Sequence, residues 1–178
     1  ASVAHATHAA GLAFIATVDF AETLALAAKI GADAIKVCSG DVNHTDWIAE
    51  VARAGLPVML DTGLATLGEI EWAVEVCLAA GNNRLCIHAN PSGYPGRLES
   101  INLGLLTTLR QLFPEFPSGF SDHNIGRDMD VAAVALGAAM VEKTLTGDRR
   151  QAGPEHMFSL EPDEAAGFVH AIRDLEIA

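Results

Sequence analysis

The chain has 178 residues, half of them hydrophobic and 19% of them charged, which is enough for one domain with a sizeable core. Its formal net charge of -12 argues against nucleic acid and anionic membranes as partners. No apolar run reaches transmembrane length, and the first residues lack the basic and apolar segments of a secretory signal. Because the three cysteines form no CxxC pair, we expect a cytoplasmic protein with reduced thiols.

Short apolar runs alternate with helical patterns along the chain, which opens on residues typical of a helix. The predicted strands cover 12–16, 34–38, 58–61, 84–88, 119–122 and 140–143. The predicted helices cover 20–29, 44–54, 67–80, 103–113, 129–136 and 163–175. Four helices are followed by a glycine that favours a left-handed C-cap, namely Gly31, Gly55, Gly81 and Gly137. This alternation predicts parallel βα units, either in an open doubly wound sheet or in part of a (β/α)8 barrel.

Lys36 is a charged residue inside an apolar strand. A buried ammonium needs an anionic partner, because an unpaired charge in a protein core is costly. Two interpretations stay open: Lys36 binds a phosphate or carboxylate ligand, or it forms a core ion pair with Asp61 or Glu142. The turns 38–41 and 61–63 after two successive strands are small and contain glycine, which lets backbone N–H groups approach an anion. Together these features favour the binding of phosphate or carboxylate.

Polar side chains end two later strands, in Phe120-Ser121-Asp122-His123 and in Met140-Val141-Glu142-Lys143-Thr144. Enzymes built on parallel strands present such residues at the carboxyl ends of the strands, where ligands bind. The two segments therefore predict a site for a small anionic substrate. His123 is open to three interpretations, as a metal ligand, a general base or a satisfied polar residue. We expect Cys38 and Cys86 to be core residues, and most of the histidines outside the strands to lie at the surface, namely His5, His8, His44, His156 and His170.

Five segments occur in the same order as in one known family. They are 35–41 (IKVCSGD), 61–66 (DTGLAT), 120–123 (FSDH), 153–156 (GPEH) and 159–164 (SLEPDE). Each motif alone occurs widely, but the combination is specific for that family. From about Gly11 to its C-terminus the chain resembles the sialic acid synthase family, which comprises N-acetylneuraminate synthase and its nonulosonate and spore-coat-polysaccharide relatives.

The resemblance implies an α/β fold of the (β/α)8 TIM-barrel type, incomplete, with about six βα units in a single partial domain over residues 1–178. We expect the family's first two βα units and its C-terminal antifreeze-like domain to be missing, and a homo-oligomer is expected because open strand edges favour association. The implied reaction condenses phosphoenolpyruvate with an N-acylated amino sugar. The enol carbon attacks the sugar aldehyde, water adds, and phosphate leaves to give a nonulosonate. In that family a divalent metal, Mn2+ or Mg2+, activates the aldehyde.

The resemblance also implies roles for individual residues. Catalytic roles fall to Lys36, His123 and Asp41, and Asp41 takes the place of an acidic residue at the reacting centre. The residues expected to bind the substrates are Lys36, Ser39, Asn90, Ser92, Tyr94, Ser121 and Glu155, of which Tyr94 and Glu155 match sugar contacts. The expected metal ligands are His123, Glu142 and Asp61, a set of nitrogen and oxygen donors that suits manganese.

The chain departs from the family pattern at two of these strand ends. Thr144 stands where the family has its second metal histidine, and a threonine hydroxyl is a poor ligand beside an imidazole. Asp61 stands where the family has serine, and its carboxylate would repel a phosphate but would bind a metal. Two alternatives to a synthase therefore stay open. One is a catalytically degenerate relative that binds a phosphorylated or sugar ligand, and the other is an assembly module that completes a barrel with another chain.

Overall fold

The computed structural model describes residues 2–178, which form two compact units. The first unit ends at Ile87 and the second runs from His88 to Ala178. The strands follow chain order in the sheet and are β1 (Ile15–Thr17), β2 (Ala34–Val37), β3 (Val58–Asp61), β4 (Leu85–Ala89), β5 (Ser118–Asp122) and β6 (Met140–Lys143). The α-helices are α1 (Ser2–Ala9), α2 (Ala21–Lys29), α3 (Thr45–Arg53), α4 (Leu67–Ala79), α5 (Gly104–Leu112), α6 (Asp128–Ala135) and α7 (Pro162–Ile177). A helix follows every strand, which confirms the predicted α/β class with six βα units.

In the first unit, β1, β2 and β3 are parallel neighbours. The register pairs Ile15 with Ala34 and Ile35 with Val58. Every residue of β2 and β3 is buried, as expected for parallel strands that have helices on their faces. Charged residues in these strands therefore lie in the protein interior.

The helices α3 and α4 pack against each other in the first unit. At the start of α4 the backbone N–H of Glu69 donates to Thr66 Oγ1 (3.3 Å), and the backbone N–H of Thr66 donates to Glu69 Oε2 (2.8 Å). This is a capping box, as the spacing of the two residues indicates. The helix ends before Gly81, whose φ of 87° is the left-handed conformation of a C-cap. Local sequence signals thus set both ends of α4, which follows the turn after β3.

In the second unit, β5 and β6 are parallel neighbours. Gly119 pairs with Met140 and Asp122 pairs with Lys143. The core of this unit contains the fully buried side chains of Phe120, Leu106 and Leu109. The register brings the polar residues that end β5 next to those that end β6.

The structure differs from the predictions at a few positions. Strand β1 begins at Ile15 rather than at residue 12, because Leu12 is exposed and the backbone N–H of Phe14 donates to the Asp33 carboxylate (2.7 Å) instead of entering the sheet. Cys38 is half-buried just after β2, and Cys86 is buried in β4 as predicted. Within residues 2–178, no helix combines the length and the hydropathy that a membrane span requires.

Candidate active site

Lys36 and Asp61 form an ion pair in the first unit. Lys36 projects from β2 and Asp61 ends β3, and the distance from Nζ to Oδ2 is 2.8 Å. The two side chains are only 11% and 6% exposed, so that removal of either one would leave a buried charge without this partner. The ion-pair interpretation of Lys36 is confirmed, and its role in binding an anionic ligand stays a prediction.

The two turns that were predicted to bind an anion contact each other in the first unit. Residues Ser39–Asp41 form one turn of 3-10 helix directly after β2. The backbone N–H of Gly63, in the turn after β3, donates to Ser39 Oγ at 3.1 Å. The next residue, Leu64, has a φ of 67° and is 90% exposed, which is a rare conformation for a bulky side chain. Ser39 and Gly63 also line a small cavity, to which Leu64 contributes.

Ser121 and Glu142 lie opposite each other on β5 and β6 in the second unit. Ser121 Oγ donates to Glu142 Oε1 at 3.0 Å. A ring nitrogen of His88, in β4, lies within 4.8 Å of a carboxylate oxygen of Glu142. The His88 ring is fully buried against Gly119, where an added Cβ would lie 2.4 Å from His88 Cδ2. The absence of a side chain at residue 119 therefore makes room for this imidazole.

His123 follows β5 and belongs to a cluster of three rings with Tyr94 and Phe158. Its ring stacks on Tyr94, with centroids 4.5 Å apart and planes inclined by 24°, and the Phe158 ring lies 5.9 Å away. Its Nδ1 is buried and has no hydrogen-bond partner among residues 2–178. An imidazole nitrogen without a protein partner is able to bind a metal or exchange a proton, so His123 keeps both of its predicted chemical roles open.

The remaining predicted site residues of the second unit lie in loops. Asn90 and Ser92 are half-buried after β4, and Glu155 is exposed before a short 3-10 helix at His156–Phe158. Ser159 Oγ donates to the carbonyl of Glu155 at 2.8 Å, which ties this loop to its own C-terminal end. His156 was predicted to lie at the surface but is half-buried. Its Nδ1 forms a hydrogen bond of 2.7 Å with Thr146 Oγ1, which holds the ring against the protein.

Sequence reasoning missed the roles of several buried polar residues. His88 was placed in a strand, but it was not among the expected ligands. Lys143 forms ion pairs with the carboxylates of Asp122 and Asp130, and all three side chains are at most 2% exposed. Burial, reinforced by the charge of Asp122, raises the pKa of Asp130 to about 8. Lys143 lies between Glu142 and Thr144 at the end of its strand, so it lacks the signal that singled out Lys36, a lone charge inside an apolar run.

Thr144, which follows β6, stands where the family has its second metal histidine. Its Oγ1 is buried and has no hydrogen-bond partner among the described residues 2–178. A hydroxyl at this position offers a much weaker metal ligand than an imidazole.

Strands that follow chain order, each followed by a helix, define an enzyme scaffold of the (β/α)8 type, because the strand order of a doubly wound sheet reverses. The model of the NeuB family matches residues 1–178, and the chain belongs to that family. It is similar to the N,N'-diacetyllegionaminic acid synthase of Campylobacter jejuni, with 34% identity over 170 residues that cover 94% of this chain and 50% of that protein. It is also similar to the N-acetylneuraminate-9-phosphate synthase of Homo sapiens, with 34% identity over 143 residues that cover 80% of this chain and 40% of that protein.

Among solved structures, the chain is similar to the spore coat polysaccharide biosynthesis protein SpsE of Bacillus subtilis. The identity is 32% and the TM-score is 0.94, over 99% of this chain and 49% of that chain. The predicted fold class, a (β/α)8 type with about six βα units, is thereby confirmed. The chain spans about half the length of the curated relatives named above.

Proposed function

We propose that the protein is a synthase that condenses phosphoenolpyruvate with an N-acylated amino sugar, forming a sialic-acid-like nonulosonate and releasing phosphate. Family membership and the names of the relatives, which are synthases of such sugar acids, support this proposal. The observation that carries it is that the strands holding the buried Lys36 and Asp61 lead directly into the joined turns of Ser39 and Gly63, an arrangement that suits an anionic substrate.

Phosphoenolpyruvate offers a phosphate and a carboxylate for recognition. The residues that would hold these groups are Lys36, Ser39, Asn90, Ser92 and Ser121. The Lys36 ammonium is held by Asp61 in a water-poor environment, where its attraction for an anion is stronger than in water. Ser39 Oγ accepts the N–H of Gly63, which holds this hydroxyl in the turn after β2, where we propose that it contacts a phosphate oxygen.

We propose that the second unit contributes ligands to a divalent metal, Mn2+ or Mg2+. His123 offers a buried ring nitrogen, and Glu142 offers a carboxylate with an imidazole nitrogen of His88 within 4.8 Å. Asp61, at the end of β3, would supply a second carboxylate, as predicted from the sequence. Such oxygen and nitrogen donors suit manganese. When bound, the metal would polarise the sugar aldehyde as a Lewis acid and hold the two substrates in position.

The reaction forms one carbon–carbon bond and one carbon–oxygen bond to water, and it breaks the carbon–oxygen bond to phosphate. The methylene carbon of phosphoenolpyruvate attacks the open-chain aldehyde of the sugar, and the aldehyde oxygen takes a proton to become a hydroxyl. Water adds to the carbon that carries the phosphate, and the hemiketal then loses inorganic phosphate. Asp41, half-buried in the turn after β2, would stabilise the positive charge that develops at this carbon. Tyr94 and Glu155 would bind the sugar.

A phosphate-release assay tests the proposal. The protein expressed from its natural reading frame is incubated with Mn2+, phosphoenolpyruvate and a panel of N-acylated amino sugars. We expect phosphate release that needs both the sugar and the metal, and its loss in His123→Ala without loss of the fold. His170→Ala is the matched control, because His170 is exposed on α7. Full activity in His123→Ala would remove that imidazole from the mechanism.

A second function, ligand binding without turnover, is favoured by one observation: the hydroxyl at Thr144 is buried and finds no hydrogen-bond partner in the described part of the chain, residues 2–178. Calorimetric titration with Mn2+, with and without phosphoenolpyruvate, separates the two functions when it is combined with the release assay. Binding without phosphate release identifies the degenerate relative, and gain of release in Thr144→His would show that the missing imidazole is the cause. Separate titrations of His88→Ala and His123→Ala identify the imidazole that binds the metal.

A further inference from the structure

The backbone that carries His123 is held on both of its sides by buried charged groups. On one side, Asp122 Oδ1 accepts two hydrogen bonds from Asn124, one from its backbone N–H (3.0 Å) and one from its Nδ2 (2.7 Å). On the other side, Lys143 Nζ donates to the carbonyl oxygen of Asn124 at 2.6 Å and also pairs with the Asp122 carboxylate. The peptide groups that follow His123 are thus bound through both the donor and the acceptor of Asn124.

Asp130 completes this arrangement from α6. Its Oδ2 lies 3.5 Å from Lys143 Nζ, and its side chain is fully buried. The Lys143 ammonium therefore pairs with the Asp122 carboxylate and also faces the Asp130 carboxyl group, which its raised pKa keeps mostly protonated at neutral pH, in a space that excludes water. An apolar set of similar volume would often give equal or greater stability, because the removal of charges from water costs several kcal/mol for each ion. The retention of three buried ionisable groups at this point therefore calls for a role other than stability.

We propose that Asp122, Asp130 and Lys143 form a positioning cluster that sets the orientation of the His123 imidazole. The cluster does not touch the reacting atoms and acts through Asn124 and the backbone of His123. The consequence for catalysis rests on the proposed function of His123. The structural part, namely that the cluster fixes the imidazole, stands apart from that function.

Further contacts restrict both the backbone and the ring of His123. The His123 carbonyl accepts a hydrogen bond from the backbone N–H of Gly96 (2.9 Å), and its ring lies on Tyr94. A stacked ring tolerates little rotation of its own backbone, so a peptide that is clamped on both sides keeps Nδ1 in one direction. In an active site, a displacement of about 1 Å lowers the rate by up to a hundredfold. The gain from holding the imidazole in place therefore offsets the cost of burying the charged groups.

The first test is nuclear magnetic resonance of the metal-free protein with labelled histidine, with His123→Ala used for assignment. In Lys143→Met we expect the ring resonances of His123 to lose the shift caused by Tyr94 and to broaden, while the melting curve remains cooperative. The control is Arg110→Met, which removes a comparable donor to a backbone carbonyl, that of Leu136 (2.9 Å). Unchanged His123 resonances in a folded Lys143→Met variant would overturn the proposal.

A second measurement needs no variant, so it tests whether the backbone after His123 is held in place even if Lys143→Met does not fold. Hydrogen exchange at the backbone amide of Asn124 in the unaltered protein should be at least tenfold slower than at the exposed neighbour Ile125. Equal exchange rates would show that the clamp is not formed and would overturn the proposal. Neither measurement uses a substrate or metal, so failure of the synthase assignment would leave both results interpretable.

Kinetics then separate positioning from a merely structural role. In an active enzyme, Asp130→Ala should lower kcat by about tenfold to a hundredfold with KM changed less than about twofold. Asp130→Asn should restore most of kcat, because its amide has nearly the shape of a protonated carboxyl group. An equal loss in both variants, or a change confined to KM, would contradict a positioning role.

Discussion

Gly119→Ala is the most direct perturbation of the buried polar residues in the second unit. The added Cβ would lie 2.4 Å from His88 Cδ2 and 2.7 Å from His88 Nε2, whereas ordinary contacts begin at 3.4 Å. The imidazole, which has no exposed surface, must therefore move by about 1 Å in a packed interior. Overpacking of this kind typically costs about 1–3 kcal/mol. We expect the midpoint of thermal unfolding to fall by roughly 2–4 °C for each kcal/mol lost.

The assay is thermal unfolding followed by circular dichroism, with Gly68→Ala as the matched control. A Cβ at Gly68, in the first turn of α4, would meet no atom within 4 Å. Since alanine favours a helix over glycine by up to about 1 kcal/mol, this control should melt at the same temperature as the unaltered protein or slightly higher. The double variant Gly119→Ala with His88→Ala should show less than the sum of the two single losses, because the smaller side chain relieves the clash.

Two outcomes would refute the reasoning about Gly119. The first is a Gly119→Ala variant that melts at the temperature of the unaltered protein. The second is a double variant whose losses are strictly additive. Either result would mean that the His88 ring does not lie against residue 119.

Three further predictions concern buried charges and a helix cap. Because the pKa of Asp130 is raised in the folded state, folding retains a proton, so stability should fall as pH rises from about 4 to about 8. Urea unfolding at several pH values should show that the free energy of unfolding of Asp130→Asn rises relative to that of the unaltered protein over this range, by an amount on the order of several kcal/mol. A difference in unfolding free energy that does not change with pH would contradict the raised pKa. Lys36→Met should cost about 3–5 kcal/mol in the same assay because it leaves the buried Asp61 without this ion pair, and replacing both residues by neutral ones should recover much of the loss. Thr66→Ala should cost about 1 kcal/mol through loss of the α4 cap, and a loss near zero would show that the capping box contributes nothing.

Local patterns in the sequence predicted most of the fold. Strands β3 and β6 agree with the predicted bounds residue for residue, because short apolar runs between turn residues have few alternatives. The predicted start of β1 was wrong by three residues. The strand starts later because of the hydrogen bond between Phe14 and Asp33, which local hydropathy does not reveal. The ends of the helices were accurate to one or two residues wherever a glycine follows the helix.

The candidate site was predictable only in part. The pairing of Lys36 with Asp61 was one of two stated interpretations, since a buried lysine needs an anion. The cluster of Lys143 with Asp130 was not foreseen, because hydrophobic periodicity does not indicate which polar residue of a short helix such as α6 points inward. Nor did the pattern indicate that Gly119 makes room for the His88 ring, because that contact joins residues that are far apart in the chain.

The proposed reaction joins phosphoenolpyruvate to an N-acylated amino sugar. It can be followed by nuclear magnetic resonance with phosphoenolpyruvate that carries carbon-13 in its methylene group, in the presence of Mn2+ and candidate sugars. We expect the labelled carbon to become a saturated methylene bonded to the first sugar carbon, with one phosphate released for each bond formed. Phosphate released without that bond, or labelled phosphoenolpyruvate left unchanged with every sugar, would contradict it.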